Sequence, residues 1–344
     1  MTRVKKTLLL YRSKDIPHSF REKFLNYGYR QVPCPLPACI YSVFTINNET
    51  FNFWTHFIPF LISVYKIINI PHNFKFISWP LLAYSFACSG LFLVSSLAHM
   101  LAVHNATFRH ICWFHDYAAI CFYSIGVSII YDFCLNNHIK GIEIDKNWNI
   151  LSSEFILCVT VCSFIALYMA CVTRCRTVRF RYFFRVISFG LPWYFGIHYF
   201  LAYWMSGDLL ENLEKYHVPV SPYIMHNVWL VIGAIFHVAK FPESSFSKSF
   251  PGICIIGHSH QWMHICTAVG IFIQWSAIER QIIYIENNFQ HENFTGNTAI
   301  VCLYFFICVI FMSGFVIKLA KIWKRYLACS DTTENCVIHR KITF

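Results

Sequence analysis

Charge is what this chain has least of. Only 13% of its 344 residues are charged, against 56% hydrophobic and 19% aromatic, where a soluble globular domain carries roughly 25% charged residues. That deficit excludes a soluble protein. The sixteen cysteines contain no C-x-x-C pair, so neither a disulfide scaffold nor a cysteine zinc knuckle is indicated, and thiols scattered through apolar segments read as buried and inert. The basic start MTRVKKTLLLYRSK has only LLLY as its apolar stretch. This is shorter than a signal-peptide core and lacks a small-residue cleavage site, so the N-terminus is expected to stay in the mature protein. The formal charge of +11 would suggest nucleic acid in a soluble chain. Here it first asks which side of a bilayer the charges occupy.

What is present is a series of apolar runs, each long enough to cross a hydrocarbon core about 30 Å thick. Helices are expected at about 51–70, 77–101, 111–133, 150–172, 186–205, 221–239, 257–278 and 299–321. The breakers Pro71, Asn136-Asn137, Gly141, Ser206-Gly207, Pro242 and Pro251 fall between them. The fold class is thus all-α and polytopic, a seven-helix core with an eighth transmembrane helix. A cytosolic segment 1–50 precedes the membrane domain 51–325, and a cytosolic tail 326–344 follows it. With a cytosolic N-terminus, 22 Lys and Arg fall inside and six outside, which the positive-inside rule reads as both termini cytosolic. Asp and Glu lean the other way, nine outside against six inside. Asn293-Phe294-Thr295, a glycosylation sequon, lies in a loop expected outside, although Asn48-Glu49-Thr50 and Asn105-Ala106-Thr107 match the same pattern on the inner side.

With Asp132, at the outer end of span three, counted among the nine outside, two further carboxylates lie within the expected spans, Asp116 and Glu154, and an intramembrane charge normally has a partner or a task. Glu154, near the outer end of span four, reads as snorkelling to the interface. Asp116 lies about five residues into span three, roughly 7–8 Å from its inner end, and needs a partner. In the run GHSHQWMH, His260 and His264 stand four residues apart on one helix face, a spacing that lets two imidazoles share one metal. His258 falls on another face and reads as an interfacial hydrogen-bonding group. His99 ends span two, with Ser95 one turn deeper on the same face. His99, Asp116, His260 and His264 all fall within roughly 10 Å of the inner surface by helix counting. Three imidazoles with an open fourth position describe a catalytic zinc site, in which Asp116 would orient a water or an imidazole. Ser95 either donates to a developing oxyanion or bonds back to its own helix.

These residues resemble the progestin and adipoQ receptor family, and within it the membrane progestin receptor class. Three blocks carry the resemblance: Asn48-Glu49-Thr50-Phe51-Asn52-Phe53-Trp54-Thr55-His56, Ser95-x-x-x-His99 followed by Asp116-Tyr117, and Gly257-His258-Ser259-His260-Gln261-Trp262-Met263-His264. The stretches PCPLPACI at 33–40 and HVAKFPE at 237–243 look similar to this class as well. The resemblance implies a seven-helix core with a cytosolic N-terminus, zinc (Zn2+) held by three histidines, and signalling in response to steroid or protein hormones. By position it assigns His99, His260 and His264 as zinc ligands, Asp116 to the zinc-bound water, and Ser95 nearby. An eighth span followed by Lys324 and Arg325 looks like the progestin receptor class. The chain departs from the family's inner-loop pattern, because Ser244 follows Glu243 and Cys254 stands where an Asp is usual.

Two functions are compatible with this resemblance. One is a plasma-membrane receptor for a steroid, progestin-like or other lipophilic ligand, signalling to a G protein or another cytosolic partner. Trp193, Tyr194, Tyr199, Tyr203 and Trp204 of span five are available to line its pocket, though packing and interfacial anchoring also explain such residues. The other is a zinc-dependent, ceramidase-like hydrolase of a membrane lipid amide, with Asp116 as the proton-handling group. A metal that only ties spans two, three and seven together fits the same residues. A rhodopsin-like receptor is disfavoured by the missing Asp-Arg-Tyr and Asn-Pro-x-x-Tyr signatures, and a transporter by the absence of paired broken helices. No nucleic-acid partner is expected.

Overall fold

Each of the eight apolar runs forms one helix in the computed structural model, which describes residues 9–73, 79–139, 154–175, 180–205, 220–288, 300 and 303–322. After a short helix α1 (Leu36–Tyr41) come α2 (Thr50–Asn73), α3 (Trp79–Leu101), α4 (Ala106–Ile139), α5 (Glu154–Cys175), α6 (Arg181–Met205) and α7 (Val220–Ala239). The one-turn α8 (Glu243–Phe246) leads to α9 (Ser259–Asn288), and α10 (Leu303–Ile322) closes the described chain. Among the described residues there is no strand, only an isolated bridge between Tyr11 and Tyr29. Six helices, α2 to α5, α10 and the stretch Ser221–Phe246 around α7, are long and apolar enough to cross a membrane.

The packing follows chain order around a closed ring. Each of α2 to α6 packs on the next, α7 packs on α9, and α9 returns to α2. The fourth helix also touches α6 and α9 and so fills the middle. Outside the ring, α10 contributes Phe305, Cys308, Met312 and Val316 to a cluster with Ala83 and Ala87 of α3, Ile125 of α4 and Ala166 and Leu167 of α5. Tyr304 Oη donates to Thr160 Oγ1 at 2.8 Å across that contact. Gly126 sets the α3–α4 approach, since a Cβ there would lie 2.5 Å from the Ala87 Cβ. A buried amide pins α9 to its neighbours. Gln274 Oε1 accepts from Tyr84 Oη at 2.9 Å and Tyr123 Oη at 2.6 Å, and its Nε2 donates to Tyr131 Oη at 2.6 Å.

Local breakers yield to this packing at several places. Pro71 lies inside the last turn of α2 rather than after it, where the ring's missing N–H costs one bond near a helix end. The Asn136-Asn137 pair falls within α4. That helix begins at Ala106, five residues before its apolar run, because Asn105 caps it: its Oδ1 accepts from Phe108 N at 2.8 Å. Asp116 therefore lies ten residues past the helix start instead of five. Glu154 is the exposed first residue of α5, where a carboxylate suits the positive end of the helix dipole.

Residues 9–49, in the segment expected to precede the membrane domain, are folded onto the bundle. Ile16, Phe20, Leu25 and Tyr29 bury themselves against Cys254, at the end of the ring where α3 stops and α4 and α9 start. The sequon at 293–295, the tail 326–344, Lys324 and Arg325 lie outside the described residues, as do the side chains of Tyr199, Tyr203 and Trp204.

Candidate metal centre

Three helix ends converge under the folded N-terminal segment. His99 sits two residues before the end of α3, and Arg30 covers that end, donating from Nη2 to the His99 carbonyl at 2.7 Å and from Nη1 to the Met100 carbonyl at 3.0 Å. This gives two of the helix's terminal carbonyls a charged donor. His260 and His264 lie on the first turns of α9. The start of α9 is held by Glu243, whose Oε2 accepts from Ser259 N at 2.7 Å and whose Oε1 accepts from Ser259 Oγ. Gln261 Oε1 also turns back to accept from Gly257 N at 2.6 Å.

The ring nitrogens divide into two sets. Each Nδ1 faces outwards to a partner: that of His99 to Glu49 Oε2 at 2.7 Å, that of His264 to the Asn52 carbonyl and Thr55 Oγ1 at 3.1 Å each, and that of His260 to His237 Nδ1 at 3.4 Å. A proton on Nδ1 satisfies all three contacts and leaves each Nε2 with a free lone pair. Inwards, His260 Nε2 and His99 Nε2 are 3.2 Å apart, and one ligand atom from each of the three residues lies within 4.8 Å of the others. Two imidazole lone pairs at that distance repel unless a cation lies between them. Tetrahedral zinc, with Zn–N of 2.0–2.1 Å, separates two ligating nitrogens by about 3.3 Å. The donor set therefore fits a metal, and the outer contacts are those that orient metal-bound histidines in general.

Sequence reasoning placed His99, His260 and His264 together, and the structure does bring them together. It also sets Asp116 against Ser95, with the charges of His99, Arg174 and Arg185 acting on its carboxylate. His258 stays apart from the trio, its Nε2 at 3.1 Å from the Asn48 carbonyl. The partners missed were Glu49, Asn52, Thr55 and His237. Glu49 was open to discovery, since it stands one residue before α2, at the end of the bundle that holds the histidines. Burial alone would push its carboxyl up, but the hydrogen bond and charge of His99, with Arg30 and Asn52 beside it, hold it down at about 2. His56 stacks on His264 with ring centroids 3.7 Å apart.

The centre opens into a cavity of about 140 Å³. Its walls include His99, His260 and Asp116, the aromatic rings of Trp113, Tyr117, Tyr182 and Phe189, and a basic side made by Arg174, Arg185 and Lys240. The family model described as "Haemolysin-III related" matches residues 44–275, a stretch that runs from just before α2 to the middle of α9 and holds every residue of the centre. The chain belongs to the haemolysin-III related family. The human membrane progestin receptor gamma is 28% identical over 285 residues, covering 78% of this chain and 80% of its own. The human membrane progestin receptor delta is 26% identical over 282 residues, with 77% and 76% covered. The membrane progestin receptor beta of Sus scrofa is 25% identical over 311 residues, with 86% and 82% covered. The family resemblance drawn from the three motif blocks is thus borne out. Cys254 of the loop before α9 is fully buried beneath the N-terminal segment, its Sγ accepting from Asn26 N at 3.4 Å.

Proposed function

We propose that the protein is an integral-membrane receptor of the plasma membrane, with eight spans and both termini cytosolic. In this reading His99, His260 and His264 hold one zinc ion, and the cavity beside them takes a steroid-like or other lipophilic ligand. The observation that carries the proposal is the continuity of the histidine centre with a partly aromatic cavity, a largely apolar concavity with a few placed polar groups, as small-molecule sites have. The names of the relatives, membrane progestin receptors, support a progestin as the first ligand to test. Basic side chains cluster at the same end of the bundle, where a G protein or another cytosolic partner would read the bound state. Saturable binding of labelled progesterone to membranes from expressing cells is the expected result. Displacement no greater than in mock-transfected membranes would overturn the steroid reading. Metal analysis of purified protein should give about one zinc, the stoichiometry of a single three-histidine site, and less in His260→Ala and His264→Ala.

A second reading is favoured by the position of Asp116 on the same cavity wall as His99 and His260. Zinc bound there would supply a Lewis acid and bring the pKa of a coordinated water to about 7. Asp116 would take a proton from the attacking water as its oxygen adds to a lipid amide carbonyl. As the C–N bond breaks, Asp116 would return that proton to the leaving amine nitrogen, and the products would be a fatty acid and an amine. Ser95 holds the Asp116 carboxylate in place. Asp116→Asn should abolish ceramide hydrolysis while retaining zinc. Equal turnover by that variant and the wild type would remove this reading and leave the receptor reading standing.

A further inference from the structure

The cavity wall holds an imbalance that the histidine centre does not use. Each wall carboxylate has a donor: Glu22 accepts from Arg109 Nη2 at 3.0 Å, Glu49 from His99 and Asn52, Glu243 from Ser259, and Asp116 lies against Ser95. Three cations of the same wall have no carboxylate within salt-bridge distance, although Glu22 acts on Arg174 and Lys240, Glu243 on Lys240, and Arg174 and Arg185 on Asp116 from further away. Among the described residues, the ion pairs within 4.0 Å are Lys66–Glu279, His99–Glu49 and Arg109–Glu22. None involves Arg174, Arg185 or Lys240.

What those three touch is mostly aromatic. The guanidinium of Arg185 lies over the rings of Tyr117 and Tyr182, at 5.0 and 5.8 Å from their centroids, and Lys240 Nζ lies 4.0 Å from the Tyr182 centroid. Arg174 stacks on Trp113 at 4.8 Å, and its Nη1 reaches only the Tyr117 hydroxyl, at 3.4 Å. The side chains of Arg185 and Lys240 are 7% and 8% exposed, and the Nε atoms of Arg174 and Arg185 are buried with no acceptor. Lys240 has a φ of 54°, a left-handed conformation after the end of α7 that usually falls to glycine or asparagine. The end of α5, the start of α6 and the end of α7 thus bring cations without an ion-pair partner to one pair of tyrosine rings. Buried charges without acceptors are unfavourable. An anion arriving from the cavity would relieve all three at once.

We propose that Arg174, Arg185 and Lys240 form a binding site for a phosphate group, the head of an amphiphile whose apolar part lies along the cavity. Phosphate fits better than a carboxylate because three converging cations need more acceptor oxygens than two, and guanidinium forks match phosphate geometry. The apolar wall made by Trp113, Ile120, Val186 and Phe189 continues from the cations and provides the surface for a chain. The site rests on unpaired cations rather than on the metal, so it stands or falls separately from the zinc and steroid readings.

The test is a titration of the purified full-length protein in detergent with three probes: dioctanoyl phosphatidic acid, dioctanoylglycerol, which has the same chains without the phosphate, and inorganic phosphate. Dioctanoyl phosphatidic acid should bind at least tenfold more tightly than dioctanoylglycerol, and its affinity should fall as salt is raised. Arg185→Gln and Lys240→Gln should each weaken phosphatidic acid at least tenfold. Inorganic phosphate binding with the same dependence on Arg185 would identify a free phosphate compound as the source. Binding of the lipid alone would identify a lipid headgroup. Equal affinity for phosphatidic acid and dioctanoylglycerol in the wild type would overturn the proposal, and this comparison holds even where a variant fails to fold. Unchanged phosphatidic acid affinity in well-folded Arg185→Gln and Lys240→Gln would overturn it as well.

Discussion

Substituting Glu49 by glutamine tests how the centre is held without touching a metal-facing atom. Glu49 Oε2 lies 2.7 Å from His99 Nδ1 and accepts from Asn52 Nδ2 at 2.7 Å. Glutamine keeps the shape and one acceptor oxygen but removes the charge that makes His99 a more basic ligand. Removing an outer partner of a metal-bound histidine typically costs 10–100-fold in metal affinity, about 1.4–2.7 kcal/mol. The carboxylate also faces Arg30, which caps the same helix end, and its loss leaves that guanidinium with less compensating charge. The upper half of the range is therefore expected. The assay is competition for zinc between purified protein and a chromophoric chelator of known affinity, with His99→Ala as the reference for complete loss of one ligand. Glu49→Gln should hold zinc more weakly than wild type and more strongly than His99→Ala. An affinity equal to wild type, in a variant that melts at the same temperature, would refute the idea that this carboxylate supports the site.

Three further outcomes follow from packing and charge. Gly126→Ala should destabilise the bundle by about 1–3 kcal/mol, since the added methyl group overpacks the contact with Ala87. A lowered melting temperature in detergent checks this, and an unchanged one would mean that α3 and α4 can move apart. Gln274→Leu strands the hydroxyls of Tyr84, Tyr123 and Tyr131 and should cost at least about 1–3 kcal/mol, read in the same melt. Burial works to raise the Glu22 carboxyl, but Arg109, Arg174 and Lys240 together hold it below its ordinary value of 4.5. Its contribution to stability is accordingly complete above that value and lost as pH falls through the depressed folded pKa. Melting temperatures measured downwards from pH 5 should fall less steeply in Glu22→Gln than in wild type, and parallel curves would count against the pairing with Arg109.

The helices and the inward-facing half of the centre were legible for related reasons. Hydrophobic run length reports burial whatever the partner, and i, i+4 spacing with depth counting locates side chains along each helix without knowledge of its neighbours. His99, His260 and His264 needed nothing else. The outward-facing half depends on α2 lying between α3 and α9, a relation that no local spacing encodes. Glu49, Asn52 and Thr55 were therefore quoted as parts of a motif without a role, and so was His237, which α7 brings to His260. Helix ends failed where a local signal competed with packing. Pro71 and Asn136-Asn137 act as breakers in isolation, but the ring carries the helices past them. Asn105 was read as part of a sequon when its side chain caps α4, a role that Asn at such a position also predicts. Arg109 and His110 delayed the expected start because hydropathy scores polar side chains by type, while Arg109 is buried against Glu22.

The closure of the ring by α9 against α2 bears on how the protein is made. His99 and His260, whose inner nitrogens meet at 3.2 Å, are 161 residues apart in the chain, and the helix that brings the second half of the centre is the last of the ring to leave the ribosome. Until then a nascent chain carries His99 and its Glu49 support with nothing opposite them, and a fragment ending after α7 has no centre at all. Contacts this distant along the chain are slow to form, because the intervening segments must be ordered first. Acquisition of metal would then mark completion of the bundle, giving quality control a way to tell a finished molecule from one stalled a helix short.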